Sequence, residues 1–539
     1  MKRITAAQPL ALRLRGEASE GRDETAAPAA VRASQEPGAR RRQGPIWPVV
    51  VGCLVLSAVT LLFPSTPTYD PWAWILWGRE ITHLDLTTTG GPSWKPLPVL
   101  FTVPFSVFGE QAAPLMWVWI ARAGGLLALA LSFWVARRLV GGPGGIAAGV
   151  FGTAFLFSSF KYLRDAALGN SEALLAALTL WAFERHLDGR RDHALYLGFA
   201  AALLRPEVWP FLGLYGLWLW FRDPELRLRM AVLAALIPLL WFGPEIWGSG
   251  EPLRASSRAN TPNPGSAAFA DRPGLEVISR FNHVTIKPLL VGALIGVAHA
   301  MVAWRRRREG GAILFLFAAG LAWLLLVAGM TQLGYAGNQR YLIVTTTAVC
   351  VLGGIGMGRV FELVQERISR LAGNPRMGLR AAVAAFVLLV LALVPVIERK
   401  VDNGEVTLDS LRYEASIWSG LREVVDKAGG RERLRACGGV YSGPFQTQMV
   451  AYTLGVHGID VGWLETPAPG VAFRTRTVPT GPKVVKMTDD RFRQIAVSKR
   501  WTVLTAPRAD ARGRSCPASS RYAPRVPATR ATPDLRVTG

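Results

Sequence analysis

Tyr69-Asp70-Pro71-Trp72-Ala73-Trp74, continued further on by Trp94-Lys95-Pro96-Leu97, is the stretch on which the reading of this chain turns. It follows the first apolar run, Ile46–Phe63, and most of the chain beyond it is made of further apolar runs. A carboxylate, several tryptophans and a lysine therefore gather where the chain leaves a bilayer. Ionisable groups at membrane depth are costly to keep and mark functional positions by default. The stretch reads as the floor of a site.

The composition around it is that of a membrane protein. Half of the 539 residues are hydrophobic, mean hydropathy is +0.25, and bilayer-length apolar runs recur from residue 46 to 397. The net charge of +23 invites a nucleic-acid reading, but many of the arginines sit in short loops between apolar runs. That is the positive-inside pattern, and it reports topology and anionic lipid rather than a polymer partner. The six histidines show no ligand spacing and no phosphate-cradling Gly-Lys-Ser/Thr loop is present, so a structural zinc site and a nucleotide-driven pump are not expected.

Three regions follow. Residues 1–45, ending in Arg40-Arg41-Arg42, read as a disordered cytoplasmic tail. Residues 46–397 read as a polytopic α-helical domain of about 11 transmembrane helices, from Ile46–Phe63 to Ala381–Ile397, with alternate loops arginine-rich and so on one side. Pro71–Thr82 reads as an interfacial helix, and Leu97–Phe108, short and proline-punctuated, as a re-entrant or surface helix. His193–Leu204 and Val208–Phe221 read as two short arms around Arg205-Pro206-Glu207. Residues 398–539 read as a small extracytoplasmic α/β domain with a disordered end, its strand-like runs at Gly438–Tyr441 and Thr502–Thr505.

Tyr69-Asp70 after the first span, Trp94-Lys95-Pro96-Leu97-Pro98, Ala121-Arg122, and Ala136-Arg137-Arg138-Leu139 occur in an order that resembles the GT-C superfamily of membrane glycosyltransferases. The nearest branch is that of the protein mannosyltransferases and the aminoarabinose transferase of lipid A. The similarity covers roughly residues 46–220 and returns at Asn338-Gln339-Arg340-Tyr341. Such enzymes move a sugar from a polyprenyl-phosphate carrier to a glycan, lipid or protein acceptor outside the membrane. The resemblance implies Asp70 as general base and Glu172, near Asn170, as the second acidic residue, at a place where Asp is commoner. It also implies Lys95, Arg340 and Arg205 as donor-phosphate contacts, with Trp72, Trp74, Trp94 and Asn170 toward sugar or acceptor. No cofactor is required by it; a divalent cation is left open.

Each residue also has a plainer reading. Asp70 before Pro71 is a helix start, an N-cap followed by proline at the first helical position. Glu172 favours the N-terminus of its own helix. Lys95 can snorkel to headgroups, Arg205 and Glu207 can pair within a broken helix, and the tryptophans can anchor at the interface. A transporter or flippase for lipid-linked saccharides is the competing function, since it too needs charges at bilayer depth. The crowding of charges at the outer ends of spans and the appended domain favour the transferase. Cys53 and Cys350 lie in apolar runs, whereas Cys437 and Cys516 are expected to form a disulfide outside.

Overall fold

In the computed structural model the described residues are 46–392 and 394–506. The chain divides into two units, residues 1–44 and 45–539, and every described residue belongs to the second. The expected tail, the disordered end and Cys516 lie outside the described residues, and Cys437 is buried in the C-terminal part.

The helices follow the apolar runs closely. α1 (Trp47–Thr60) precedes α2 (Tyr69–Thr82), α3 (Pro96–Ser106), α4 (Ala112–Val140), α5 (Gly142–Phe157), α6 (Phe160–Ala167) and α7 (Glu172–Leu187). Then come α8 (Arg191–Ala202), α9 (Trp209–Arg222), α10 (Arg227–Ser249), α11 (Arg254–Ala259), α12 (Pro273–Val284), α13 (Lys287–Arg307) and α14 (Gly311–Gln332). α15 (Ile343–Ala372) and α16 (Pro375–Ala392) complete the apolar part, and α17 (Val394–Lys427) leads into the C-terminal domain.

Among the described residues six helices are long and apolar enough to cross a bilayer: α4, α10, α13, α14, α15 and α16. A seventh arises if α5 and α6, bent by 70° at their junction, are taken together. The remaining expected spans fall on α1, α7, α8 and α9, of 14, 16, 12 and 14 residues. At 1.5 Å per residue a 14-residue helix is only ~21 Å long against a hydrocarbon core of ~30 Å. α3, with 11 residues and Pro104 inside it, is shorter still. α8 and α9 are separated at Arg205-Pro206-Glu207, where a 3-10 turn replaces the α-helix; proline supplies no N–H and breaks the ladder there.

Bundle packing relies on small residues. Lipid tails are as apolar as leucine, so helices associate through close approach rather than through hydrophobic transfer. α15 packs on α5 and α13 along glycines: a Cβ on Gly356 would stand 1.8 Å from the Gly292 carbonyl oxygen, and one on Gly354 2.3 Å from that of Ala148.

The C-terminal part of the described chain is a mixed α/β layer. After α18 (Arg431–Arg435), β1 (Gly439–Ser442), α19 (Thr447–Leu454), β2 (Val461–Gly462), β3 (Gly470–Arg476), β4 (Lys483–Val484), β5 (Arg493–Val497) and β6 (Thr502–Ala506) form a sheet of order β2-β1-β3-β6-β5, with β4 pairing β3. β1 runs parallel to β2 and β3, whereas β6 is antiparallel to β3 and β5.

This domain packs directly on α2. Trp72 meets Trp418 and Tyr452 at ring distances of 5.2 and 5.3 Å. Arg79 donates to the carbonyls of Tyr452 and Val456 at 2.8 and 3.2 Å, and His457 lies 2.8 Å from Glu80 and 3.1 Å from Asp85. The other side of α2 is held by the bundle, with Trp74 against Trp117 and Trp77 against Trp94. The indoles of this helix face protein: Trp72, Trp74 and Trp77 are at most 2% exposed. Indoles on several faces are covered here because two layers close over one helix.

Replacing Gly356 by Val is expected to prevent recovery of monodisperse protein from detergent, because the α13–α15 contact cannot admit a side chain. Gly52→Val should purify normally, since a Cβ there meets nothing within 4 Å. Size-exclusion profiles of the two variants make the comparison; equal profiles would remove the packing argument.

Candidate functional site

The charged residues singled out in the sequence all come from helix starts and breaks. Asp70 is in the first turn of α2, Lys95 immediately precedes α3, and Glu172 opens α7. Arg205 precedes the turn between α8 and α9, and Arg340 lies in the short turn before α15. Carboxylates at helix N-termini are favoured by the exposed backbone N–H groups and the helix dipole. Where a helix begins, the chain also turns, so side chains from distant segments can converge.

They converge on one oxygen. Glu172 Oε1 lies 3.1 Å from Arg205 Nη2, 3.7 Å from Arg340 Nε and 3.9 Å from Lys95 Nζ. Its partner oxygen, Oε2, is buried with no hydrogen-bond partner among the described residues. Arg340 Nη2 donates to Asp70 Oδ2 at 2.6 Å, and Nη1 reaches Asn170 Oδ1 at 3.3 Å. Lys95 Nζ donates to Ser171 Oγ at 3.0 Å and stands 4.9 Å from the centre of the Trp74 ring. Arg205 Nη1 donates to Glu207 Oε1 at 2.7 Å, which also accepts from Tyr335 OH at 2.8 Å. The guanidinium of Arg205 stacks over Tyr341 at 3.9 Å.

Three cations and three carboxylates thus neutralise one another in a site where Glu172, Arg205 and Glu207 are at most 3% exposed. Such a cluster is stable only as a set, since each charge removed leaves another unpaired in a low-dielectric place. Lys95 shows the strain. Burial pushes its ammonium down, against the pull of Glu172, to about 8.

The plainer reading of Asp70 as the cap of α2 does not hold: the helix begins at Tyr69, the N-cap is Thr68, with no side-chain cap hydrogen bond, and Thr68 Oγ1 bonds Asn170 instead. Trp72, Trp74 and Trp94, expected at sugar or acceptor, are 2%, 1% and 2% exposed. Their faces are covered by protein, and Trp94 Nε1 donates to the Leu240 carbonyl at 3.0 Å. They hold the floor of the site rather than offer a surface.

Other residues at the site were given no role in the sequence reading. Tyr335 and Ser171 complete the polar partners, and no spacing marks them in advance. Asp165 and Lys161 stood in the outer segment before Glu172 without an assigned role. They line a small cleft, half open to solvent, with Ser159, Tyr162, Glu172, Ala173, Gln339, Arg340, Ile343 and Thr346. Among the described residues no group of three or more His, Cys, Asp or Glu is arranged to hold a metal ion.

No protein-family model and no characterised protein matches the sequence. The fold does match solved structures. ArnT from Cupriavidus metallidurans bound to undecaprenyl phosphate is similar over 86% of this chain and 98% of its own, at 16% identity and a TM-score of 0.51. The same protein in the apo state matches at 14% identity over 85% and 98%, with a TM-score of 0.50. The Archaeoglobus fulgidus oligosaccharyltransferase tethered to an acceptor peptide is similar at 13% identity over 76% and 63%, with a TM-score of 0.44. The chain has a GT-C-like fold.

Glu172→Gln keeps the shape of the side chain and removes the charge that Lys95, Arg205 and Arg340 share. The variant is expected to lose on the order of 3 kcal/mol of stability, read as a lowered unfolding midpoint in detergent. A midpoint equal to that of the wild type would contradict a shared counter-ion.

Proposed function

We propose that this protein transfers a sugar, a hexose or pentose, from a polyprenyl-phosphate carrier to an extracytoplasmic glycan, lipid or protein acceptor. The observation that carries this reading is the single constellation of Asp70, Arg340, Glu172 and Lys95: carboxylates held against cations, two of whose members, Glu172 and Arg340, line an open pocket. The similarity to a structure that binds undecaprenyl phosphate supports the carrier class. On this reading the N-terminal tail is cytoplasmic and the C-terminal domain faces outward, in agreement with the arginine-rich loops.

The reaction is a single displacement with inversion. The acceptor oxygen or nitrogen attacks the anomeric carbon, the bond from that carbon to the phosphate oxygen breaks, and its electron pair leaves with the phosphate. The acceptor proton passes to Asp70. Lys95 and Arg340 stabilise the charge that accumulates on the leaving phosphate, a contribution of roughly 3 kcal/mol per well-placed donor. Arg205 is committed to Glu207 and Glu172 and serves to fix Glu172 in place.

The ion pair between Arg340 and Asp70 adds an order to these events. A carboxylate oxygen bonded to a guanidinium at 2.6 Å is occupied and not free to take the acceptor's proton. An incoming phosphate competes for Arg340 and draws it away, so the donor's arrival releases the base that the acceptor needs.

The transfer itself is tested by incubating purified protein with a radiolabelled polyprenyl-phosphate sugar and an envelope extract, then following release of label from the lipid. Lack of transfer with every sugar offered would count against the proposal. Asp70→Asn should bind carrier at least as well as wild type yet lose on the order of 100-fold or more in turnover. Normal turnover in that variant would exclude Asp70 as the base.

Lys95 gives a pH signature. Its ammonium must be charged to hold phosphate, and in the empty site it gives up its proton near pH 8. Carrier affinity should therefore fall as pH rises through about 8, and Lys95→Ala should bind more weakly with that limb absent. Titrations of the two proteins with undecaprenyl phosphate between pH 6.5 and 9.5 (a range of about three units around the Lys95 value) compare the profiles. An identical limb in Lys95→Ala would assign it to another group.

A further inference from the structure

Away from the charge cluster, the far end of α2 is held by a histidine of the C-terminal part of the chain. The His457 ring is buried between two carboxylates, with Nδ1 2.8 Å from Glu80 Oε1 and Nε2 3.1 Å from Asp85 Oδ2. An ionised carboxylate only accepts hydrogen bonds, and a neutral imidazole has a single N–H to donate. Both contacts are therefore made only while the three groups hold one proton more than a neutral ring and two carboxylates.

The chain after α2 is shaped around this contact. Glu80 Oε2 accepts from the Thr87 N–H at 3.0 Å, and the Asp85 N–H bonds the Glu80 carbonyl at 3.0 Å. Between them Leu84 takes a φ of 55°, a left-handed conformation that is costly for a residue with a side chain. That turn brings Asp85, whose side chain is 68% exposed, back to the ring.

The neighbouring charges are mostly negative or already engaged. α2 contributes Arg79 and Glu80, and the turn beyond it contributes Asp85 and the exposed His83, whose Nδ1 lies 2.8 Å from the Arg79 carbonyl oxygen. From the turn after His457 comes Asp460, whose carboxylate accepts from the His457 N–H at 3.2 Å. Arg79 donates to the carbonyls of Tyr452 and Val456 and lies over the Tyr452 ring. Glu110 and Arg431, paired at 2.7 Å, act on Arg79 from behind, and Arg435 reaches the Gly455 carbonyl at 3.4 Å. The bond to Glu80 raises the ring above the ordinary histidine value by more than burial lowers it, and the charges of Glu80, Asp85 and Asp460 add to the rise. Burial raises the Glu80 carboxyl as well.

We propose that His457 is a positioning residue whose proton ties α2, and with it Asp70, to the C-terminal part of the chain. Asp70 and Glu80 sit on the first and last turns of the same helix, so a helix held at both Trp72 and Glu80 cannot pivot about its start. A group whose folded value is raised keeps its contact below the ordinary value of ~6.5 and loses it as pH rises through the raised one. The tie is closed in mild acid and opens on the alkaline side. The role assigned to Asp70 rests on the transfer reading above; the tie itself does not.

The test follows hydrogen exchange of α2 in the full chain in detergent, corrected for the intrinsic effect of pH, and turnover at saturating carrier, from about pH 6 to 9 (either side of a raised histidine). Wild-type α2 should lose protection as pH rises, and turnover should fall roughly tenfold, within the ~100-fold that a misplacement of ~1 Å can cost. Saturation removes the effect of Lys95, which acts on carrier affinity, so the split between kcat and KM separates the two groups. His457→Gln should show the alkaline wild-type behaviour at every pH. In Asp85→Asn the amide can donate to Nε2, so a neutral ring keeps both contacts; protection should be retained and both pH limbs should flatten. Limbs unchanged from wild type in both variants would overturn the proposal. Protection that follows His457 without any change in turnover would overturn the positioning role and leave an interface ion pair. If the wild type transfers no sugar at any pH, the transfer reading falls and the role of Asp70 with it, while the exchange profiles still uphold or overturn the tie.

Discussion

A single oxygen of Glu172, shared by Arg205, Arg340 and Lys95, is the constraint to which the site's geometry answers. Those cations come from segments separated by up to 245 positions (340 − 95). They can share one counter-ion only if the starts of α3, α7 and α15 and the break between α8 and α9 lie side by side. In water such an arrangement would gain little, because exposed ion pairs are worth at most about 1 kcal/mol. Buried, the charges cannot be left unpaired, so the cluster imposes its geometry on the helices that carry it.

The helix bearing Asp70 is fixed by a second mechanism. α2 offers indoles to both sides, and the C-terminal domain closes over one of them through Trp418, Tyr452 and His457. Loop residues join the same contact: Gln448 donates to the Gly90 carbonyl, and Gly90 approaches Ile459 so closely that a Cβ would stand 2.3 Å from its backbone nitrogen. Rigid placement of a reacting group is worth several kcal/mol of barrier when the geometry is right. On the proposed reading, the C-terminal domain contributes to catalysis by holding α2, without supplying the base itself.

The two devices meet at Arg340, which touches Asp70 on one side and Glu172 on the other. A phosphate that binds there must compete with both carboxylates. On the proposed reading, that competition keeps Asp70 occupied until the donor is in place.

The sequence by itself determined which residues are charged at the ends of apolar runs, and hence most of what the site contains. Asp70, Lys95, Arg205 and Arg340 stand out there because an ionisable group beside an apolar run costs free energy wherever it is placed. The long helices were legible for the same reason, as were β1 and β6 from their runs of strand-forming residues. What only the tertiary structure decided is partnership. Hydropathy records that a residue avoids water, not which surface covers it, so Trp72, Trp74 and Trp94 read as exposed contacts when two layers bury them. Local spacing left a helix cap as the plainer role for Asp70, yet a guanidinium 270 residues away claims its carboxylate, a partner that only the fold brings within reach.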